Sequence, residues 1–444
     1  MLDILANRTY RHLFGAQVIA LTGTGLLTVA LGLLAYQLAG GEAGAVLGTA
    51  LAIKMIAYVG IAPVVGGFSA RLPRRAFLVS MDLVRAAIAL LLPFVTEVWQ
   101  VYVLIFLLQS ASAAFTPTFQ ATIPDILPDE KDYTRALSLS RLAYDLESLL
   151  SPALAAALLT TIGFHWLFGG TVVGFLASAA LVLSVTLPAS QAKPQAGGFF
   201  RNASRGIRIY LATPRLRGLL ALNLSVAAAG AMVIVNTVVI VRSLLDRSDT
   251  EVAIALACFG GGSMVTALSL PRLLERTGDR AVMLPAAGLL ALLLLTYAGL
   301  LSIVPNAAWP ALLATWALLG VGYSSILIPT GRLLRRSAHA YDRPALFAAQ
   351  FSLSHACWLL TYPLAGWLGL KAGIPATLFV LAILTLSGLV AALLVWPAAD
   401  PEVIPHRHEE LPAGHPHLKD QYSGAHAHAF VIDDLHPHWP TARG

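Results

Sequence analysis

Gly66-Gly67-Phe68-Ser69-Ala70-Arg71-Leu72-Pro73-Arg74-Arg75 ends one long apolar run and precedes another, and it crowds three arginines into one turn. A matching turn, Pro271-Arg272-Leu273-Leu274-Glu275-Arg276-Thr277-Gly278-Asp279-Arg280, stands between two later runs. Laying Arg71 on Arg276 gives an offset of 205 residues, close to the spacing between the starts of the first and seventh runs. Ala136-Leu137 and Ala345-Leu346 open the fifth and eleventh runs, and Pro152 and Pro363 fall inside them. The chain therefore reads as two repeats.

Outward from these turns, twelve apolar stretches are expected at about 12–38, 45–69, 76–95, 99–123, 137–161, 165–187, 216–241, 250–270, 281–302, 308–330, 343–369 and 374–396. A bilayer core about 30 Å thick takes roughly 20 apolar residues per helical crossing. Amides in lipid find no water, so each crossing must be a helix. Hydrophobic residues make up 57% of the chain and charged ones 12%, with a mean hydropathy of +0.74. The expected fold is an all-α membrane protein of twelve transmembrane helices in two bundles. Residues 1–187 form the first six-helix bundle, 188–215 a cytoplasmic linker, 216–396 the second bundle and 397–444 a cytoplasmic tail. Such pairs of bundles hold their transport site between the halves, near the bilayer midplane.

The net charge of +6 does not point to nucleic acid, because the positive charge falls almost entirely in every second gap. Arg8 and Arg11 precede the first run. Arg71, Arg74 and Arg75 follow the second, and Lys131 and Arg135 the fourth. Six basic residues from Lys193 to Arg217 lie in the middle gap, Arg272, Arg276 and Arg280 follow the eighth run, and Arg332, Arg335, Arg336 and Arg343 the tenth. The other gaps hold only Arg242, Arg247 and Lys371. Lys and Arg mark the cytoplasmic side, so a multi-pass protein of an inner, cytoplasmic membrane with both termini cytoplasmic is expected. The first run is too long for a signal-peptide core. Cys258 and Cys357 both fall inside expected helices and form no disulfide framework. Phe199 to Arg217 mixes arginine with Phe, Ile, Tyr and Leu, which suits a helix lying on the inner leaflet or simply joining the bundles.

With these features the chain resembles the major facilitator superfamily over about residues 5–396. The loop signature of that family, Gly-x-x-x-Asp-Arg-x-Gly-Arg-Arg, keeps its basic part here as Arg71, Arg74 and Arg75. Ala70 replaces the family aspartate and Pro73 the second glycine. The second-half copy keeps Glu275, Arg276 and Gly278. The resemblance implies that the aspartate helps lock one conformation. Ala70 cannot, so the lock is expected in the second half or elsewhere.

An ionisable group at the centre of a membrane helix costs roughly 2.5–3.5 kcal/mol on insertion scales and is a functional candidate. Lys54, Asp82, Arg85, Arg141, Asp145, Glu147 and His355 qualify. On the fifth helix, Ser138, Arg141, Tyr144, Asp145, Ser148, Ser151 and Pro152 share one arc. Leu142, Leu146, Leu150 and Leu154 lie opposite. The polar arc is expected to line a cavity. Arg141 and Asp145, spaced i,i+4, can pair. Asp145 is then either a proton or cation site or half of a structural ion pair, with Glu147 at the edge of the arc. Asp82 and Arg85 read best as a structural pair. Lys54 either snorkels or meets a cavity carboxylate, and His355 is the first residue to test in a metal carrier.

Beyond Trp396 the chain turns polar and carries eight of its twelve histidines. They form four His-x-His pairs, His406/His408, His415/His417, His426/His428 and His436/His438. Two imidazoles at i,i+2 project to one side of an extended chain, so each pair is expected to chelate one ion. With neither Cys nor Met in the tail, the donors favour Ni, Zn, Co or Cu(II) over Cu(I). The alternative is a solvated, pH-sensitive tail. Ala429-Phe430-Val431-Ile432 suggests that part of it docks.

The Asn7-Arg8-Thr9-Tyr10 start and the His-rich end resemble the nickel-resistance permeases of that superfamily, and the membrane part is similar to its siderophore exporters. The resemblance implies export of nickel, or of cobalt, with the tail capturing or sensing the ion. No nucleotide motif is present. The expected function is therefore proton-driven export of a divalent metal, with no required cofactor, a metal (Ni, Co or Zn) at the tail, and a monomer in the bilayer. It is not an enzyme. Export of a drug-like or siderophore-like solute is the alternative.

Overall fold

Apolar side chains on every face suit a helix to lipid and to neighbouring helices alike, and the chain folds into such helices almost throughout. The computed structural model describes residues 2–39, 43–69, 72–188, 204–303, 308–401, 403–406 and 426–440. The first bundle comprises α1 (Arg8–Ala39), α2 (Ala43–Ser69), α3 (Arg74–Leu91), α4 (Val98–Ile126), α5 (Glu130–Leu159) and α6 (His165–Leu183). A short helix, α7 (Arg205–Ala212), leads into the second. That bundle comprises α8 (Pro214–Val238), α9 (Asp249–Leu274), α10 (Asp279–Ile303), α11 (Ala308–Arg336), α12 (Arg343–Lys371) and α13 (Ile374–Val395).

Each expected crossing has its helix, with shifts at the ends. The carboxylate of Asp129 caps α5 by accepting from the amides of Lys131 and Asp132 at 2.9 and 3.0 Å, so this helix starts earlier than its apolar run. Ten of the described helices are long and apolar enough to cross a membrane. α5 and α12 fall outside that set because they carry the polar residues, among them Arg141, Asp145, Glu147, Gln350 and His355. Residues 189–203 of the expected linker, and Arg71, lie outside the described residues. The amphipathic stretch is shorter than expected: α7 ends at Ala212 and Pro214 opens α8. Gly206, Ile209 and Tyr210 of α7 are buried.

The bundles differ from packed soluble helices in how closely their backbones approach. Small residues permit this where lipid gives no hydrophobic drive. A Cβ on Gly262 of α9 would overlap the Ala317 carbonyl oxygen of α11, and one on Gly320 of α11 would overlap that of Phe259. In the first bundle Thr171 Oγ1 donates to the Gly23 carbonyl (2.8 Å), tying α6 to α1. In the second, Ser225 Oγ donates to the Thr385 carbonyl (2.8 Å), tying α8 to α13. These are the corresponding helix pairs of the two repeats.

After α13 the chain returns to the bundle that it leaves. β1 (Val403–His406) and β2 (His426–Ala429) pair antiparallel, with Ile404 opposite His428 and His406 opposite His426. Phe430 and Ile432 join the apolar core of the second bundle, with Ile404 and Trp439 packed against it. Gly320→Val should force α9 from α11 and displace the adjacent Ser263. We expect loss of folded protein in detergent or, where it folds, transport reduced as severely as by Ser263→Ala; normal transport would contradict the close crossing.

Candidate functional site

The polar arc of α5 faces protein; on the opposite arc Leu146, Leu150 and Leu154 are exposed, while Leu142 packs on the core of the first bundle. Asp145 and Ser138 are buried, whereas Leu150 is 59% exposed. Arg141 pairs with Asp145 one turn away. Both also reach across to the second bundle. Arg141 Nε donates to Ser263 Oγ at 3.0 Å, and Ser263 Oγ donates to the other oxygen of Asp145. Ser263 also bonds Ser324 of α11. The Arg141 guanidinium lies 5.0 Å from the ring centre of Tyr323. Asp145 stands about 22 Å along α5 at 1.5 Å per residue, so the network sits near mid-helix. Its position depends on the close approach of α9 and α11, because Ser263 follows Gly262 directly.

A second charged pair lies on the other side of α5. Lys54 of α2 and Glu147 interact electrostatically. The Lys54 ammonium is 5.6 Å from the centre of the Tyr58 ring. Tyr58 donates to Gln109 Oε1 (2.9 Å) and meets the His355 ring edge-on at 4.8 Å. His355 Nδ1 donates to the Phe351 carbonyl at 2.7 Å. Beyond these rings, Trp358 stacks obliquely on Tyr362 (4.9 Å) and approaches Tyr323 (6.4 Å). Two carboxylates, each matched by a cation, thus flank an aromatic wall. Asp82 is elsewhere: it is fully buried within the first bundle, paired with Arg85 and accepting from Ser178 at 2.8 Å. Phe115 and Phe175 sandwich the Arg85 guanidinium at 4.2 and 4.5 Å. The structure therefore brings Arg141, Asp145 and, through Tyr58, His355 into contact across the bundles; Glu147 faces Lys54 of α2 and Gly25 of α1 within the first bundle, and Asp82 lies elsewhere.

At the end rich in arginine, termed the basic end, the bundles are tied together. Asp125 at the end of α4 bridges Arg74 of α3 (2.6 Å) and Arg343 of α12 (2.7 Å). Arg332 of α11 pairs with Glu130 (2.5 Å) of α5 and with Asp279 (3.0 Å) of α10, and donates to Thr134 at 2.9 Å. Tyr133 donates to the Gly331 carbonyl (3.3 Å), and Arg335 to that of Pro128. Gly66 of α2 lies so near Ala348 of α12 that a Cβ there would clash. These contacts close the basic end. In the second-half copy of the loop the contact is slight by comparison: Glu275 meets Lys131 at 3.9 Å with both side chains well exposed, and exposed pairs contribute little. Arg75 donates to the Leu183 carbonyl, and Arg276 is exposed. Asp125, Arg332, Arg343, Ser263 and Tyr58 were not singled out from sequence, since only contact across the halves marks them.

In the described part of the tail the histidines that come together belong to different His-x-His pairs. His406, His428 and His436, from three different pairs, bring ligand atoms within 4.8 Å of one another. Strand pairing sets β1 against β2 and brings His406 beside His428, while Asp433 holds His436, which follows the strands, against them. His438 is not part of the group. His408, His415 and His417, and the side chain of His426, lie outside the described residues. In each clustered ring Nδ1 faces an oxygen: the Ile404 carbonyl (2.9 Å), the Ala429 carbonyl (2.9 Å) and Asp433 Oδ1 (2.8 Å). A neutral ring donating from Nδ1 presents Nε2 as a lone pair, which is how metal-binding histidines are held. The Nε2 atoms of His406 and His436 are 3.0 Å apart. Burial raises the Asp433 carboxyl, but hydrogen bonds from His339 and His436 outweigh it and hold the group well below the usual carboxylate range.

The Major Facilitator Superfamily profile matches residues 13–247 and 220–432. Macrolide efflux protein A of Enterococcus faecalis is 26% identical over 152 residues, or 32% of this chain and 47% of that protein, so the match spans about half its length. The uncharacterised MFS-type transporter YvqJ of Bacillus subtilis (strain 168) is 22% identical over 366 residues, covering 80% of this chain and 84% of the relative. Among solved structures, the human organic anion transporter MFSD10 (TETRAN) superposes with a TM-score of 0.74 at 14% identity over 87% of this chain and 99% of that one. A bacterial homologue of the iron transporter ferroportin, in an outward-facing state, gives 0.73 at 14% identity, with 87% and 98% covered. Two linked six-helix bundles, a polar site between them and a profile match over both halves make this chain a multi-pass membrane transporter of the Major Facilitator Superfamily.

Proposed function

We propose that this transporter exports a divalent transition metal ion, most simply nickel, in exchange for protons, with its basic end in the cytoplasm of an inner membrane. The observation that carries this reading is the group of three histidines at the basic end, with their Nδ1 atoms held by oxygen acceptors. Imidazole donors suit Ni, Co, Zn and Cu(II). The arginine-rich gaps support this orientation. In that orientation the structure is closed towards the cytoplasm by Asp125, Arg74 and Arg343.

Asp145 has the chemistry that exchange requires. A carboxylate oxygen holds a proton or a cation, not both, so loading one expels the other. Arg141 neutralises Asp145 while neither is bound, and Ser263 can donate to it or turn its hydroxyl oxygen to a cation. Because Ser263 belongs to the second bundle, the protonation state of Asp145 bears on how firmly the bundles meet at mid-membrane. Glu147, opposed by Lys54, supplies a second titratable carboxylate. Two acids suit the energetics: a charge moved through 100 mV is worth about 2.3 kcal/mol, so a divalent ion leaving a negative interior opposes about twice that. Two entering protons cancel it, and a third lets the potential contribute.

A specific observation favours a second cargo. Tyr58, Tyr323, Trp358 and Tyr362 flank the charged pairs, and such a wall fits an organic solute or a metal chelate. The macrolide efflux relative fits the same reading.

In everted vesicles, Asp145→Asn should slow nickel uptake by about tenfold or more, the effect of roughly 1.4 kcal/mol. Unchanged uptake would remove Asp145 from the mechanism. Trp358→Ala separates the cargoes: on the metal reading nickel extrusion stays near the wild-type rate, whereas a fall in dye efflux alongside nickel tolerance indifferent to tail deletion would favour the organic one.

A further inference from the structure

We propose that His406, His428 and His436 form one composite site for a borderline divalent transition ion, and that filling it latches the tail onto the closure at the basic end. The proposal rests on the metal reading above and adds a regulatory role to its histidines.

The site is composite because its ligands come from β1, from β2 and from the segment that follows. A two-stranded ladder of this size is marginal alone in water, and residues 407–425 intervene between its strands, so pairing carries a loop-closure cost. An ion shared by His406 and the two later histidines clamps β1 to β2 and to the segment that follows. The ring geometry is prepared for it. With each Nδ1 directed to an oxygen, His406 and His436 turn Nε2 lone pairs towards each other at 3.0 Å. Such a contact needs a positive bridge: a proton that makes one ring an imidazolium, or a metal ion that both neutral rings ligate. Tetrahedral zinc, with bonds of about 2.0–2.1 Å, sets ligand nitrogens about 3.3–3.4 Å apart, a small adjustment. Three nitrogens without a thiolate select Zn, Ni, Co or Cu(II) over Ca or Mg.

The same segment reaches the closure. Asp433, which orients His436, also accepts from His339 (3.3 Å) in the turn between α11 and α12. Asp434 pairs with Arg205 of α7 (2.9 Å), and Arg205 grips Asp342 through two bonds of 2.5 and 3.0 Å. Asp342 directly precedes Arg343, whose bridge to Asp125 joins the bundles. α7 touches both sides of the closure. It packs on α2 of the first bundle, and a Cβ on Gly206 would overlap the Ala345 carbonyl of α12. Arg215 holds the described end of this segment, donating to the Phe430 carbonyl (3.4 Å) beneath the Trp439 ring (5.0 Å). A ligand shifts an equilibrium towards the state it binds better. An ion that needs the docked tail therefore favours the conformation closed at the basic end and opposes return of cargo by that route.

The test uses the full chain in lipid nanodiscs, with Cys258 and Cys357 replaced by serine and spin labels at Leu72→Cys and Arg272→Cys, one on each bundle at the basic end. Zinc, which is diamagnetic, is titrated while binding is followed by calorimetry. We expect one high-affinity zinc per chain and a shift of the inter-label distance distribution towards its short component. His406→Ala and His436→Ala should each abolish both. The double variant His339→Ala/Asp434→Asn keeps the three ligands and Asp433; it should bind zinc but lose the distance shift. Zinc binding without a shift in the parent overturns the latch and leaves the metal reading standing, as does an undiminished shift in the double variant. No zinc uptake at the three histidines, or several equivalent sites, overturns the composite site, and absence of uptake takes the metal reading's main support with it.

Discussion

A charge placed among membrane-spanning helices must be met by an opposite charge, because lipid offers no water to replace it. Nearly every structural decision in this transporter follows from that constraint. Asp82 and Arg85 satisfy it within one bundle, where their role is to hold α3 against α6 through Ser178. Asp125 satisfies it between bundles, shared by Arg74 and Arg343. A pair within a bundle is permanent architecture. A pair between bundles breaks whenever they part, which makes it a conformational determinant.

The mid-membrane network joins the two kinds. Arg141 and Asp145 neutralise each other on α5, yet both also bond Ser263 on the other side. Binding or release of a proton at Asp145 therefore changes a contact between bundles as well as a local charge. On the proposed exchange this is the physical content of coupling: the carboxylate that would take the ion is also one that holds the halves together.

Much of this was legible in the sequence, for local reasons. Long apolar runs and alternating charge gaps define the crossings and their repeat. The segregation of Ser138, Arg141 and Asp145 from Leu146, Leu150 and Leu154 identifies the inward face of α5, and the i,i+4 spacing identifies its ion pair. What stayed hidden depends on contacts distant in sequence. Asp125 is unremarkable in its own segment; Arg343 lies in the other half, so nothing local joins them. Ala70 signalled that the family lock was displaced but not where it went. In the tail, i,i+2 spacing suggested chelation within each pair, whereas strand pairing and the hold of Asp433 on His436 gathered histidines from three pairs. Phe430 and Ile432 announced docking, and only the fold showed that it is onto the second bundle.

The account stands on the claim that Asp125 holds the basic end closed. Its most direct measurement is the reactivity of a single cysteine at Ser138, which is buried beneath that closure, in a background with Cys258 and Cys357 replaced by serine. A membrane-impermeant maleimide is supplied from the tail-bearing side. A hydrogen bond to a charged group contributes about 1.5–3 kcal/mol, so Asp125→Asn should quicken labelling about tenfold or more. Equal rates with and without the Asp125 carboxylate would show that something else keeps the bundles together there, and the account would fail.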